Sequence, residues 1–212
     1  KVIVAARLKQ LPHEVHPVVP VMPPEKLPSN WRQMSPTGLI PVMTDGDFTL
    51  SDSAAICAYL ERKQPRPTLY PSDDRAFATA LSLEQYASGT LFGDIVRPLF
   101  HEVFVHPKVK GIATDAQRVE RILASMLPEV FGYLNSVAGG VFLAGSSLSV
   151  ADLAVASNLI TLHYTGFTLE RERYPALAAL FDRVLCVPEV KATLQAEQPV
   201  VQQMGLNGAP LT

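Results

Sequence analysis

The hydrophobic positions in the first sixty residues change their spacing as the chain proceeds. Val4, Leu8 and Leu11 stand at helical intervals, which predicts a helix over residues 2–11. The run HEVHPVV after it is rich in β-branched residues and is predicted to form a short strand. The chain therefore begins as an α/β pattern.

Two short apolar runs, IPVMT and DFTLS, flank the dipeptide Asp45-Gly46. Because glycine tolerates the positive φ of a tight hairpin turn, these runs are predicted to pair as a β-hairpin. A helix over residues 52–63 follows it. Helix, strand, hairpin and helix make this part an α/β domain over residues 1–63.

Strand signals disappear after the proline-rich stretch KQPRPTLYPSDD, which predicts a linker over residues 64–74. An all-helical domain is predicted over residues 75–212. Its helices are expected at 75–105, 115–135, 149–162 and 175–185, with a bend at Pro98 and a kink or break at Pro128.

Composition excludes several classes of protein. The 212 residues are 48% hydrophobic and carry a net charge of −2, without the basic stripe that nucleic acid requires. No apolar run approaches the ~18 residues of a membrane span. Cys57 and Cys186 are too few for a disulfide framework, so a cytoplasmic setting and buried or inert thiols are expected. His13 and His16 lack the further ligands of a metal site, and no metal is expected.

Two helix starts carry polar side chains. Ser149 and Asp152 have the spacing of a capping box, and we interpret them as a structural cap rather than a catalytic site. Asp52 and Ser53 begin the other helix, whose N-terminus attracts anions. There Ser53 can donate to a carboxylate and Asp52 can receive an ammonium group, although a plain cap is the alternative.

Pro41 stands where an X–Pro bond can be cis, in front of a predicted strand. A turn at this point leaves the backbone N–H and C=O of Ile40 outside the sheet. An extended peptide ligand can pair with both groups, as an added strand does. Together with Asp52 and Ser53, this position predicts a site for a small peptide-like anion.

The stretch SPTGLIPVMTDGDFTLSDSAAICAYL resembles the glutathione-site half of cytosolic glutathione transferases, and SLSVADLAVA is similar to the capping box of their helical domain. The resemblance implies a thioredoxin-like N-terminal domain followed by an all-α domain. It also implies glutathione as co-substrate, a hydrophobic electrophile as second substrate and a homodimer.

By position, the resemblance implies that Ile40 and a cis Pro41 hold the cysteinyl backbone of glutathione. Asp52 and Ser53 would hold its γ-glutamyl end, and Lys26 falls near the expected place of a basic residue for the glycyl carboxylate. Asp52 is one methylene shorter than the usual Glu or Gln, so a bridging water is expected there.

The sulfur-activating residue is expected upstream of Lys1, because KVIVAARLKQLPHEV is similar to the middle of the family's first helix and its second strand. The family's first strand and its loop with Ser, Cys or Tyr would precede it, so we expect the beginning of the chain to be missing. The alternative makes KVIVAA itself the first strand.

The predicted second-substrate pocket is aromatic, although a stripe of this kind also suits a helix core. Its residues are Tyr86, Phe92, Arg97, Phe100 and His101. The predicted activity is transfer of the glutathione thiolate to a hydrophobic electrophile. The alternatives are a glutathione-dependent isomerase, dehalogenase or thiol reductase, or a non-catalytic binding protein with this fold.

Overall fold

The computed structural model describes residues 1–18, 27–207, 209 and 211. The chain divides into two compact units, Lys1–Thr68 and Leu69–Thr212. Within the described residues, no helix has both the length and the apolar character needed to cross a membrane.

In its described residues, 1–18 and 27–68, the first unit contains three helices and a two-stranded antiparallel sheet. The elements are α1 (Val2–Leu8), α2 (Trp31–Met34), β1 (Val42–Asp45), β2 (Phe48–Ser51) and α3 (Ser53–Lys63). The predicted hairpin is confirmed, with Gly46 at φ +62° in its turn. The predicted first helix is also confirmed, so the alternative strand at KVIVAA is wrong.

The predicted strand at HEVHPVV is wrong for the part that is described, because residues 13–18 form neither strand nor helix. Pro12 and Pro17 lack backbone donors, and the described residues provide only β1 and β2 as paired strands. His13 instead uses its ring nitrogen Nδ1, 2.8 Å from the carbonyl oxygen of Leu11.

A buried lysine joins the two ends of the first unit. The side chain of Lys9 is 0% exposed, and its Nζ lies 2.6 Å from the carboxylate of Glu61. The same ammonium donates to the carbonyl oxygens of Gln64 at 2.8 Å and Pro67 at 3.0 Å. Thr68 donates to the other carboxylate oxygen of Glu61 at 2.7 Å. The ammonium thus replaces its lost hydration with three acceptors.

We predict that Lys9→Met destabilises the protein by about 3 kcal/mol, because the carboxylate and the two carbonyl groups lose a buried cation. The control is Lys63→Met, which removes a partly exposed lysine from Asp45 in the same unit and is expected to cost clearly less, because solvent screens this pair. Urea unfolding at pH 7 measures both. Equal losses would contradict a special role for the buried ammonium.

The second unit is helical except for one isolated bridge between Phe142 and Gly145. Its α-helices are α4 (Asp74–Tyr86), α5 (Arg97–Phe100), α6 (Ala116–Arg121), α7 (Leu127–Val137), α8 (Val150–Tyr164), α9 (Pro175–Leu185) and α10 (Pro188–Gln203). Wider π-helical turns occupy Ala87–Val96, His101–Lys110 and Ile122–Met126. The first two continue α4 and α5 into one long helix that ends at Lys110, and the third joins α6 to α7.

All four predicted helices are confirmed, but the first extends to Lys110. Pro128 produces no break, because it lies at the start of α7, where a missing N–H costs little. The sequence interpretation missed α10, whose polar composition weakens the helical pattern. Of the two thiols expected to be buried or inert, Cys57 is buried in α3, whereas Cys186 is exposed at the end of α9. That Cys186 is inert stays a prediction.

Helix α8 forms the centre of the second unit, and a buried carboxylate fixes its start. Asp152 is 0% exposed and accepts the N–H of Ser149 and the N–H of Leu143, each at 2.8 Å. The hydroxyl of Ser149 lies 2.7 Å from the same carboxylate. Burial raises the pKa of Asp152, and these hydrogen bonds oppose the shift. The carboxylate has the structural partners of a capping box.

A second buried carboxylate fastens the loop between the long helix and α6. Glu102 is 1% exposed, and its oxygens lie 3.0 Å from Nδ1 of His106 and 3.2 Å from Nη1 of Arg118. It also accepts the N–H of Asp115 at 3.0 Å, while its backbone carbonyl accepts the hydroxyl of Thr114 at 2.9 Å.

The ionised form of Glu102 is favoured by its partners. Burial raises the pKa of Glu102, but the hydrogen bonds from Asp115 and His106 and the nearby cations outweigh burial, and the net pKa is lowered. Since the unfolded value is ~4.3, the unfolded state binds more protons in the acid range. The contribution of Glu102 to stability is therefore present above that value and lost as the pH falls through the folded pKa.

We expect Glu102→Gln to lower the free energy of unfolding by about 2 kcal/mol at pH 7, because the charged hydrogen bonds are lost. The difference from the wild type should shrink as the pH falls from 6 to 3. Urea unfolding across this range measures it, with Glu120→Gln, an exposed acid of α6, as the control. A difference that stays constant with pH would count against ionised Glu102.

Candidate functional site

The turn before β1 presents an exposed stretch of backbone. The Ile40–Pro41 bond is cis, and Ile40 is 53% exposed. The register of the hairpin begins at Val42, so Ile40 lies outside the ladder, and its backbone has no hydrogen-bond partner within the part of the chain that the structure describes. Gly38 at φ +72° occupies a left-handed conformation that suits glycine.

Asp52 and Ser53 lie where β2 ends and α3 begins. Oδ1 of Asp52 accepts the N–H groups of Ala54 at 2.8 Å and Ala55 at 2.9 Å, which makes Asp52 the N-cap. The backbone of Asp52 has φ +85°, a conformation that costs a non-glycine residue of order 1–3 kcal/mol. Such positions cluster at ligand sites, and this one is exposed.

The cap leaves specific groups available at this helix start. Because Oδ1 of Asp52 serves both N–H groups, its other oxygen, Oδ2, faces no partner among the described residues. The N–H and hydroxyl of Ser53 are likewise the donors that remain for an anion. One residue can therefore act as a cap and still receive a cation. Lys26 lies outside the described residues.

A polar cluster that sequence analysis missed holds the hairpin against α3. Asp45 accepts the hydroxyl of Tyr59 at 2.7 Å and also contacts the ammonium of Lys63. The hydrogen bond from Lys63 lowers the pKa of Asp45. The ring of Phe48 packs on Tyr59 with centroids 5.3 Å apart. These contacts join the strand that leads to Asp52 with the helix that follows it.

The predicted second-substrate residues lie along the long helix of the second unit. Tyr86 ends α4 and packs on Tyr133 with ring centroids 4.6 Å apart. Phe100 packs on the buried ring of Phe104 at 5.1 Å, and Phe92 is half-buried. Part of the ring surface of Tyr86 and of Phe100 is therefore already covered by a neighbouring aromatic ring.

A group of cations surrounds His101 on the same helix. Burial, followed by the guanidinium of Arg97, lowers the pKa of His101. Lys110, His106 and Arg118 act in the same direction. Arg97 is exposed and His101 is half-buried. A neutral imidazole beside a free guanidinium can donate to an anion.

Two concave places among the described residues of the second unit are not lined by the predicted second-substrate residues. One cavity of about 240 Å³ lies among apolar side chains of α7, α8 and α9, including Phe131, Leu159 and Phe181. An open groove of about 500 Å³ lies between Val103 and α6. Among the described residues, no group of three His, Cys, Asp or Glu side chains is placed to hold a metal ion.

Comparison with known proteins matches two parts of the chain to one family. Residues 1–63 match the family model of the glutathione S-transferase N-terminal domain, and residues 100–197 match that of the C-terminal domain. Human glutathione S-transferase theta-1 is 30% identical over 191 residues, which cover 86% of this chain and 76% of the relative. The chain belongs to the glutathione S-transferase family.

Other members of the glutathione S-transferase family cover nearly the whole chain. Glutathione S-transferase Z2 of Arabidopsis thaliana is 25% identical, covering 94% of this chain and 86% of the relative. The apo structure of human glutathione S-transferase T1-1 has a TM-score of 0.82 and 27% identity, and the match covers 99% of this chain and 86% of that one. These relatives support a thioredoxin-like domain followed by a helical domain, and glutathione transferase function. They differ in class, so the class of this chain is not resolved.

Proposed function

We propose that the chain binds glutathione through Ile40, Pro41, Asp52 and Ser53 and transfers its thiolate to a hydrophobic electrophile. The observation that carries the proposal is the unpaired backbone of Ile40 in the same unit as the helix start at Ser53. We further propose that the enzyme works as a cytoplasmic homodimer in detoxification, and that Lys26 serves the glycyl carboxylate.

The cysteinyl middle and the γ-glutamyl end of glutathione suit the two parts of the site. The N–H and C=O of Ile40 can pair with the cysteinyl main chain, as in strand addition. The γ-glutamyl carboxylate suits the N–H and hydroxyl of Ser53 at the positive end of α3. The free oxygen Oδ2 of Asp52 suits the γ-glutamyl ammonium, directly or through water.

Activation of the thiol requires modest stabilisation of its ionised form. Lowering a thiol pKa from ~8.5 to ~6.5 corresponds to about 2.7 kcal/mol. One hydrogen bond to a charged group contributes about 1.5–3 kcal/mol. A single Ser or Tyr hydroxyl aimed at the sulfur is therefore sufficient for conjugation, whereas a Cys there would direct thiol exchange through a mixed disulfide.

The second substrate is proposed to lie against Tyr86, Phe92 and Phe100. An acidic group on it would meet Arg97 and His101. Burial first and the guanidinium of Arg97 second lower the pKa of His101, so a neutral ring beside a cation offers donors to an anion. We therefore propose apolar, aromatic electrophiles, with a preference for those that carry a carboxylate or a similar anion.

Calorimetric titration with glutathione tests the binding site. The wild type should bind at millimolar glutathione or below, and Ser53→Ala should weaken binding by about 1–2 kcal/mol through loss of the hydroxyl. Asp52→Asn, which preserves a capping oxygen, should also weaken binding because the ammonium loses its anion.

The control for these variants is Asp73→Asn, which alters the equivalent cap of α4, where Asp73 accepts the N–H of Ala76 at 2.9 Å. It should leave glutathione binding unchanged. Absence of binding by the wild type would favour the non-catalytic alternative. Binding without conjugation of any electrophile would favour an isomerase, dehalogenase or reductase.

Steady-state conjugation assays test the proposed role of Arg97. Arg97→Ala should raise KM for anionic electrophiles about tenfold, corresponding to ~1.4 kcal/mol, and leave KM for neutral electrophiles unchanged. Arg121→Ala, which removes another arginine of the second unit, is the control. An equal loss for neutral and anionic electrophiles would refute selective anion recognition by Arg97.

A further inference from the structure

The turn that presents Ile40 is closed by a buried serine. Ser35 is 0% exposed, and its Oγ lies 2.6 Å from the carbonyl oxygen of Leu39. A carbonyl oxygen only accepts, so the hydroxyl of Ser35 donates its proton to Leu39. This short contact spans the turn directly before Ile40.

The main chain of Ser35 is itself fixed on both sides. Its N–H donates to the carbonyl oxygen of Trp31 at 2.7 Å, and its carbonyl accepts the N–H of Gly38 at 2.9 Å. Ser35 therefore connects the end of α2 to the turn. A donor held in this way can fix the direction of the carbonyl that it contacts.

Thr37 completes a ring of hydrogen bonds around Leu39. The N–H of Leu39 donates to the hydroxyl oxygen of Thr37 at 3.4 Å, and that oxygen lies 3.5 Å from Oγ of Ser35. Because Ser35 donates to Leu39, Thr37 must donate to Ser35. Both polar groups of Leu39 are thus hydrogen-bonded within the turn, the carbonyl by one short contact to Ser35 and the N–H by a longer, weaker one to Thr37.

The orientation of Leu39 determines that of the next N–H. The peptide between Leu39 and Ile40 is trans, and the C=O and N–H of a trans peptide point in opposite directions. Since the carbonyl of Leu39 points to buried Ser35, the N–H of Ile40 points away from it. That N–H has no partner among the described residues, and Ile40 is half exposed.

We propose that Ser35 is a positioning residue for glutathione: its hydroxyl fixes the Leu39–Ile40 peptide plane so that the Ile40 N–H is presented to the ligand. This inference rests on the proposed function and adds a residue to it that does not touch the ligand. Removing the hydroxyl frees the peptide plane to rotate, and the ligand must then order it on binding.

Titration with S-methylglutathione, which lacks the reactive thiol, tests this role separately from chemistry. Ser35→Ala should raise Kd about fivefold to tenfold, the effect expected for loss of one hydrogen bond. Ser35→Thr, which restores a hydroxyl, should return Kd to within about twofold of the wild type. Trp31, the single tryptophan of the chain, offers an independent fluorescence signal beside Ser35.

The matched control is Ser157→Ala, which removes a similar hydrogen bond, from Ser157 to the carbonyl of Ala154 at 3.0 Å, in the other unit. It should leave Kd unchanged. In conjugation assays, Ser35→Ala should raise KM for glutathione and leave both kcat at saturating glutathione and KM for the electrophile unchanged.

Three outcomes would overturn the inference. If the wild type binds S-methylglutathione and Ser35→Ala binds it equally well, Ser35 has no positioning role. If Ser35→Ala changes kcat and both KM values together, its role is general to folding. If the wild type binds neither glutathione nor its S-methyl derivative, the proposed function fails and this inference fails with it.

Discussion

The fold depends on one constraint: a charge removed from water must find its partners within the protein. Three side chains meet it in three ways. Lys9 uses a carboxylate and two carbonyl groups, Glu102 uses a backbone N–H and two cationic side chains, and Asp152 uses backbone N–H groups and a hydroxyl. Each fastens a chain segment without regular secondary structure, such as the loops before α6 and α8.

The candidate site is also distinguished by which polar groups have hydrogen-bond partners and which do not. Every backbone group of Leu39 is used within its turn, whereas those of Ile40 are not, and one oxygen of Asp52 caps α3 while the other is free. In this candidate site, polar groups whose hydrogen bonds are complete lie next to polar groups that still have a hydrogen bond to make. It agrees with membership of the glutathione S-transferase family, whose ligand is a short peptide with a charged head.

Sequence patterns predicted what depends on local chemistry. Asp45-Gly46 predicted the hairpin, and the spacing of Ser149 and Asp152 predicted a structural cap, because both depend on neighbours a few residues apart. Sequence patterns failed where the structure of a segment depends on residues far away in the sequence. The run HEVHPVV resembled a strand, but a strand requires a neighbouring strand to pair with, and residues 13–18 have none among the described residues. The contacts of Lys9 span more than fifty residues, so no local signal could reveal them.

The π-helical turns have a consequence for how the long helix displays its side chains. A π-helical turn holds more residues than an α-helical turn, so the residues after Val96 no longer continue the angular positions set by α4. Tyr86 and His101 are therefore not related by the ordinary count of 3.6 residues per turn. A helical wheel drawn with 3.6 residues per turn therefore assigns residues of this region to the wrong face. The angle between the side chains of two aromatic residues here differs from the angle that a regular α-helix would give.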